Sequence, residues 1–178
     1  MKSARFAALA ALAAFALAPA AHAKLSPIES RMAGTVKAEQ ERSIALLERL
    51  VNQNSGTLNL AGVEKVAEMM RAELEPLGFT VTWKPTLETK RAGHLIAVHK
   101  GRVDGKKMLL IAHLDTVFEP DSPFQTFTRK DGWGEGPGAG DDKGGMVVIV
   151  AALRAMKAAG TLRQAQRYCA RFRRTRPR

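Results

Sequence analysis

Met108-Leu109-Leu110-Ile111-Ala112 is an unbroken apolar run that ends directly on His113-Leu114-Asp115. The run is too short for a typical helix, and Lys107 precedes it, so it predicts a strand buried on both faces. About one loop later, Gly138-Ala139-Gly140-Asp141-Asp142-Lys143-Gly144-Gly145 opens the apolar segment Met146 to Ala159. That segment is apolar almost all round until Arg154 and Lys157, which predicts a deeply buried helix ending at Gly160. Helices followed by strands and then this further helix suggest a layered α/β structure.

The preceding chain fits that class. From Thr35 to Val51, apolar residues at 36, 44, 47, 50 and 51 share one side of a surface helix, ended by Asn52-Gln53-Asn54-Ser55-Gly56. Val63, Val66, Ala67, Met70, Leu74 and Leu77 mark a second helix, with Asn59 as N-cap and Gly78 as its stop. The Met69-Met70 pair reads as core filler. Phe79 to Trp83 alternates as a half-buried strand does, and Pro85 ends it or confines it to an edge. His94 to His99 reads as a further strand, Gly101 to Gly105 as a turn, and Phe124 to Arg129 as a short strand. No internal repeat is present.

The first 23 residues have the form of a secretory signal: basic Lys2 and Arg5, an apolar Phe6 to Ala21, and small residues at Ala21-His22-Ala23. Cleavage before Lys24 is expected, leaving no membrane anchor and a secreted or periplasmic protein. The net charge of +11 suggests a nucleic-acid or membrane binder until its location is considered. Seven arginines and no acid lie between Thr161 and Arg178; without them the charge is +4, and without Lys2 and Arg5 as well it is +2. The body of the chain is nearly neutral. Its single cysteine, Cys169, provides no disulfide framework.

On extended backbone His113 and Asp115 point to one side and Leu114 to the other. At the carboxyl end of a strand in an open α/β sheet, that side faces the crevice where ligands bind. His113 can hold a transition metal through one ring nitrogen while Asp115 orients the ring. A core histidine tied to a local acid fits the same residues. Asp141 and Asp142 concentrate negative charge that a divalent metal would balance, although helix capping with Lys143 as partner is the simpler alternative. The spacing around Lys143 excludes a phosphate-binding loop, and neither H-E-x-x-H nor a cysteine-rich zinc pattern occurs. His94 and His99 read as strand residues rather than ligands.

His113-Leu114-Asp115-Thr116-Val117, followed by Gly136-Pro137-Gly138-Ala139-Gly140-Asp141-Asp142-Lys143-Gly144-Gly145, resembles the two N-terminal signatures of the dinuclear zinc hydrolases. That family includes glutamate carboxypeptidase, aminoacylase and acetylornithine deacetylase. The resemblance extends over about Glu39 to Gly160, and it is strongest to the secreted glutamate carboxypeptidases of the carboxypeptidase G type. It implies the N-terminal portion of a catalytic domain with a mixed sheet flanked by helices. By resemblance, His113 is a ligand of one zinc and Asp141 bridges two. Asp115 is the catalytic-site acid that clamps His113, while Asp142 and Lys143 hold the loop. Two zinc ions are implied, with manganese or cobalt as alternatives, and a small peptide or N-acyl amino acid as substrate, its C-terminal residue a glutamate in the nearest group. In that family a water between the metals attacks the amide carbonyl, with a glutamate as general base.

The sequence departs from the family pattern after Asp142, where no acidic residue, no Glu-Glu pair and no further histidine occurs. The general base and the later ligands are therefore absent from these residues, and no hydrolysis is expected of this chain. Three segments are expected: signal 1–23, catalytic-domain part 24–160 and basic tail 161–178. From Arg167 the tail shows neither strand alternation nor an apolar face, and its sudden arginine richness is what out-of-frame translation of a GC-rich gene gives. The alternative is a secreted protein whose basic tail binds nucleic acid or anionic surfaces without catalysis. Relatives are often homodimers, but through a domain not recognisable here. An unpaired sheet edge and an uncovered face on the 146–159 helix are expected, with poor solubility.

Overall fold

A computed structural model describes residues 24–165 and 167–173; the signal-like segment and the last residues of the basic tail lie outside the described residues. Helix α1, Pro27–Ala38, starts on a reciprocal cap in which Ser26 accepts the Glu29 N–H and Glu29 accepts the Ser26 N–H. Glu39 separates it from α2, Gln40–Asn52. The single helix expected from Thr35 is thus two helices. Glu39 leaves helical geometry (φ −97°, ψ 14°), and its carboxylate lies between Arg42 and Arg154.

Helix α3, Leu60–Leu74, follows its sequence signals closely. Asn59 accepts the Gly62 N–H at 3.1 Å, and Val63, Val66, Ala67, Met70 and Leu74 are buried. A single 3-10 turn then ends at Gly78, whose φ of +96° lets the chain reverse into the sheet.

The main sheet contains β1 (Thr80–Thr86), β2 (Arg91–Lys100), β3 (Lys107–His113) and a late strand, Arg167–Arg173. A small hairpin lies between them: β4, Thr128–Lys130, and β5, Trp133–Glu135, turn through Asp131-Gly132. It covers only the end of the strand expected over 124–129. The apolar helix α4, Gly144–Ala158, precedes the late strand, which is β6. The order in the sheet is β1-β2-β6-β3, with β2 antiparallel to both neighbours and β6 parallel to β3. The sheet is mixed, as expected. Pro85 sits on the edge strand β1, beside a register shift.

Two expectations are corrected by this order. The segment from Arg167, read as lacking strand alternation and an apolar face, is an interior strand. Tyr168, Ala170 and Phe172 are buried while Arg167 and Arg171 are exposed. The arginines occupy the outward positions, and the small Ala170 hides the apolar period from a reading by composition. The run 107–113 is correspondingly an edge strand rather than one buried on both faces. Leu109 and Ile111 are 60% and 54% exposed on the outer face. An apolar run states what a strand can bury, not how many faces the fold covers.

Helices α2, α3 and α4 gather on the inner face, where Leu46, Leu50, Met70, Leu74, Leu95, Met146, Leu153 and Phe172 form one core. Each such side chain, fully buried, contributes about 1.5–3 kcal/mol. Met70 lies in this core and Met69 packs against it. Helix α4 is less enclosed than its composition implies. Val148 is 67% exposed, whereas Arg154 turns inward to Glu73. Among the described residues no helix is long and apolar enough to cross a membrane.

Candidate metal centre

The last residue of β3 carries the imidazole, and the loop before α4 brings a carboxylate to it. His113 Nε2 lies 2.8 Å from Asp141 Oδ1, while Nδ1 lies 2.8 Å from the main-chain oxygen of Asp115 and 3.6 Å from its Oδ1. The Asp115 carbonyl is the nearer acceptor to Nδ1, with the carboxylate behind it. Asp115 is buried, and its Oδ2 accepts the Thr57 hydroxyl at 2.8 Å. Asp141 is the opposite case, with a side chain 92% exposed.

Both ring nitrogens therefore face acceptors. Hydrogen bonding to Asp115 first, then to Asp141, raises the His113 pKa to about 9 against the opposing effect of burial. These acceptors favour the protonated ring. Its Nε2 has to release a proton before it can donate to a cation.

The loop that presents Asp141 is held from three directions. Asp142 Oδ2 accepts the His113 main-chain N–H at 3.2 Å. Lys143 is fully buried, and its Nζ donates to the main-chain oxygen of Gln53 at 2.9 Å. Burial lowers the pKa of this lysine to about 8. Gly138 has φ +77°, and a Cβ there would lie 2.5 Å from Thr116 Cγ2. Neither Asp141 (φ −136°, ψ 95°) nor Asp142 (φ −130°, ψ 17°) is helical, and no side chain caps α4, so capping does not account for this acidic pair.

Sequence reading found His113, Asp115, Asp141, Asp142 and Lys143 but missed their supports. Ser55 and Thr57 pair with Thr116 through main-chain bonds of 2.9 and 3.0 Å, and Thr57 and Gln53 hold Asp115 and Lys143. The polar run 52–56 signalled only a helix end. His94 and His99 lie in β2, away from these residues.

A nitrogen and an oxygen donor without thiolate suit zinc, manganese or cobalt. His113 and Asp141 fit such an ion as two donors. Among the described residues no group of three or more His, Cys, Asp or Glu side chains is placed to hold a metal. Beside the pair lies a cleft of about 210 Å³ that reaches from Asp141 to Phe118 and Phe124.

Residues 109–166 match the model of Peptidase family M20/M25/M40. Carboxypeptidase G2 of Pseudomonas sp. (strain RS-16) is 37% identical over 126 residues, which cover 68% of this chain and 29% of that protein. The chain thus spans less than a third of the length of this relative. Among solved structures, aminopeptidase PepT from Bacillus cereus aligns at TM-score 0.62 and 25% identity, over 75% of this chain and 36% of that one. The di-peptidase Dug1p from Saccharomyces cerevisiae shares the fold at TM-score 0.66 and 16% identity, over 81% of this chain and 34% of its own.

Proposed function

From the premise that this chain carries an N-terminal part of a peptidase M20 family domain, we propose that it is part of a metal-dependent amide hydrolase. The substrate class is a peptide or an N-acyl amino acid. The observation that carries this reading is the meeting of His113 Nε2 and Asp141 Oδ1 in the lining of a cleft.

In this reading His113 and Asp141 hold a divalent metal, zinc in the first place. Such an ion supplies Lewis acidity toward an amide carbonyl and lowers the pKa of water. The chain's own residues do the rest of the positioning. The Asp115 carbonyl and carboxylate keep His113 Nδ1 occupied, so that Nε2 is the nitrogen directed at Asp141. Asp142 and Lys143 fix the loop, and the Asp141 carboxylate, bonded to His113 through Oδ1, is otherwise exposed.

A general base and further ligands are needed for turnover, and after Asp142 the 178 residues contain no acid and no histidine. The chain alone is therefore assigned weak metal binding without hydrolysis. Zinc titration of the full chain beside Asp141→Ala tests this. Uptake that falls at least tenfold in the variant supports the assignment, and equal uptake in both refutes the role of Asp141. Cleavage of an N-acyl-glutamate by the zinc-loaded chain, abolished in His113→Ala, would refute its inactivity.

A further inference from the structure

The four strands of the main sheet carry lysines and arginines but no aspartate or glutamate. Because side chains alternate along a strand, much of this charge falls on the outer face, opposite the core. Lys100, Arg167 and Lys107 stand side by side in one rung across β2, β6 and β3. The next outward rung is Val98, Cys169 and Leu109, and the one after it Ile96, Arg171 and Ile111. Lys100, Lys107, Leu109, Ile111, Arg167 and Arg171 are all exposed. With strands about 4.8 Å apart, the first rung gathers three cations within about 10 Å.

Like charges directly opposite one another destabilise a sheet, and the fold supplies nothing to offset this rung. Among the described residues none of Lys100, Lys107, Arg167 and Arg171 forms an ion pair. Asp104, the acid between Lys100 and Lys107 in sequence, is held by Arg102 through bonds of 3.1 and 3.0 Å. The same three cations line a hollow of about 350 Å³ beside Gly101 and Val103. A phosphate group entering it would meet charge-assisted donors on several sides.

We propose that the outer face of the sheet docks on a bilayer surface rich in anionic phospholipid, with the Lys100–Arg167–Lys107 rung on the head-group phosphates and Leu109 and Ile111 against the acyl boundary. The inference does not depend on the metal-hydrolase reading. Charge complementarity and exposed aliphatic groups on one face together are what such a surface selects. Nucleic acid fits less well. Trp83 is in register with buried Leu95, and Tyr168 and Phe172 are buried in the core, so the outer face offers no indole, phenol or phenyl ring to a base. Pairing of a second copy along the β3 edge would leave the basic rung without a counter-charge. The arginines of residues 167–171 thus act as part of a folded face rather than as a basic tail.

The test is vesicle co-sedimentation of the full chain. It compares affinity for an equal mixture of phosphatidylglycerol and phosphatidylcholine with affinity for phosphatidylcholine alone, at low and high salt. The preference for the anionic vesicles is expected to fall about fivefold per cation removed, hence about 25-fold in Lys100→Gln/Lys107→Gln, and to shrink at high salt. Lys65→Gln/Lys130→Gln, the same charge change on α3 and β4, is expected to leave it nearly intact. Arg167→Lys should keep the preference that Arg167→Gln loses, and circular dichroism checks that each variant is folded. Leu109→Ser is expected to weaken anionic-vesicle binding by roughly fivefold. An unchanged preference in the Lys100/Lys107 pair, an equal loss in the control pair, or a Leu109→Ser chain that binds as wild type does overturns the proposal. A single-stranded oligonucleotide that binds more tightly than the anionic vesicles, and loses affinity in the same pair, also overturns it and makes the face a nucleic-acid surface.

Discussion

Asp142 accepts the main-chain N–H of His113 at 3.2 Å, joining the loop before α4 to the end of β3 by a bond independent of the His113–Asp141 pair. The imidazole and its facing carboxylate are therefore set against each other by the main chain of His113 and the side chain of Asp142, and Gly145 makes room for this. A Cβ at Gly145 would lie 2.0 Å from Asp142 Oδ1. Gly145→Ala is expected to push Asp142 off the His113 N–H and to weaken zinc binding by about tenfold, a size typical of lost outer-shell support. Calorimetric titration beside wild type measures it; unchanged affinity would show that Asp142 does not place Asp141.

Asp115 is expected to act on the metal only through His113. Asp115→Asn keeps the shape and the main-chain carbonyl but loses the charge behind Nδ1 and an acceptor for Thr57. Zinc affinity should fall by roughly 10- to 100-fold while the fold is retained. Circular dichroism together with metal titration separates the two effects, and an unfolded variant would make Asp115 a structural residue first.

His99 gives a pH dependence with a definite sign. Burial, then the charges of Arg163 and Lys157, holds its pKa below the usual 6.5, so the folded protein favours the neutral ring. As pH falls through about 6.5 the unfolded chain takes up the proton first, and stability is lost over that range and below it. His99→Phe, packed between Phe79 and Tyr168, is expected to lose less stability between pH 7 and pH 5.5 than wild type. Urea unfolding at the two pH values reads this directly; parallel losses would clear His99.

The outer face of β3 predicts self-association. Leu109 and Ile111 are exposed on an edge strand, and Ile111 lies in register with Arg171 of β6. Ile111→Glu places a carboxylate across from that guanidinium. Sedimentation velocity should show less aggregate, with stability changed by no more than about 0.5 kcal/mol. Undiminished aggregation would move the adhesive surface elsewhere, to the exposed stripe of α4 around Val148.

Legibility in the sequence followed the range of the interactions. Helix α3 was readable to its caps because Asn59, the apolar period and Gly78 all act within a turn or two of chain. His113 and Asp115 were readable as neighbours on one side of extended backbone. Their supports at Gln53 and Thr57 were not, because those bonds span 90 and 58 residues and the residues involved carry no distinctive pattern.

By itself, then, the sequence determined the local elements, the α/β class and the residue types gathered for metal chemistry, since periodicity, capping and motif spacing are written along the chain. The tertiary structure alone decided that residues 167–173 enter the sheet between β2 and β3 and that β3 becomes an edge. The reason is physical. An apolar strand can satisfy its backbone beside several partners until long-range packing fixes which neighbour occupies each position.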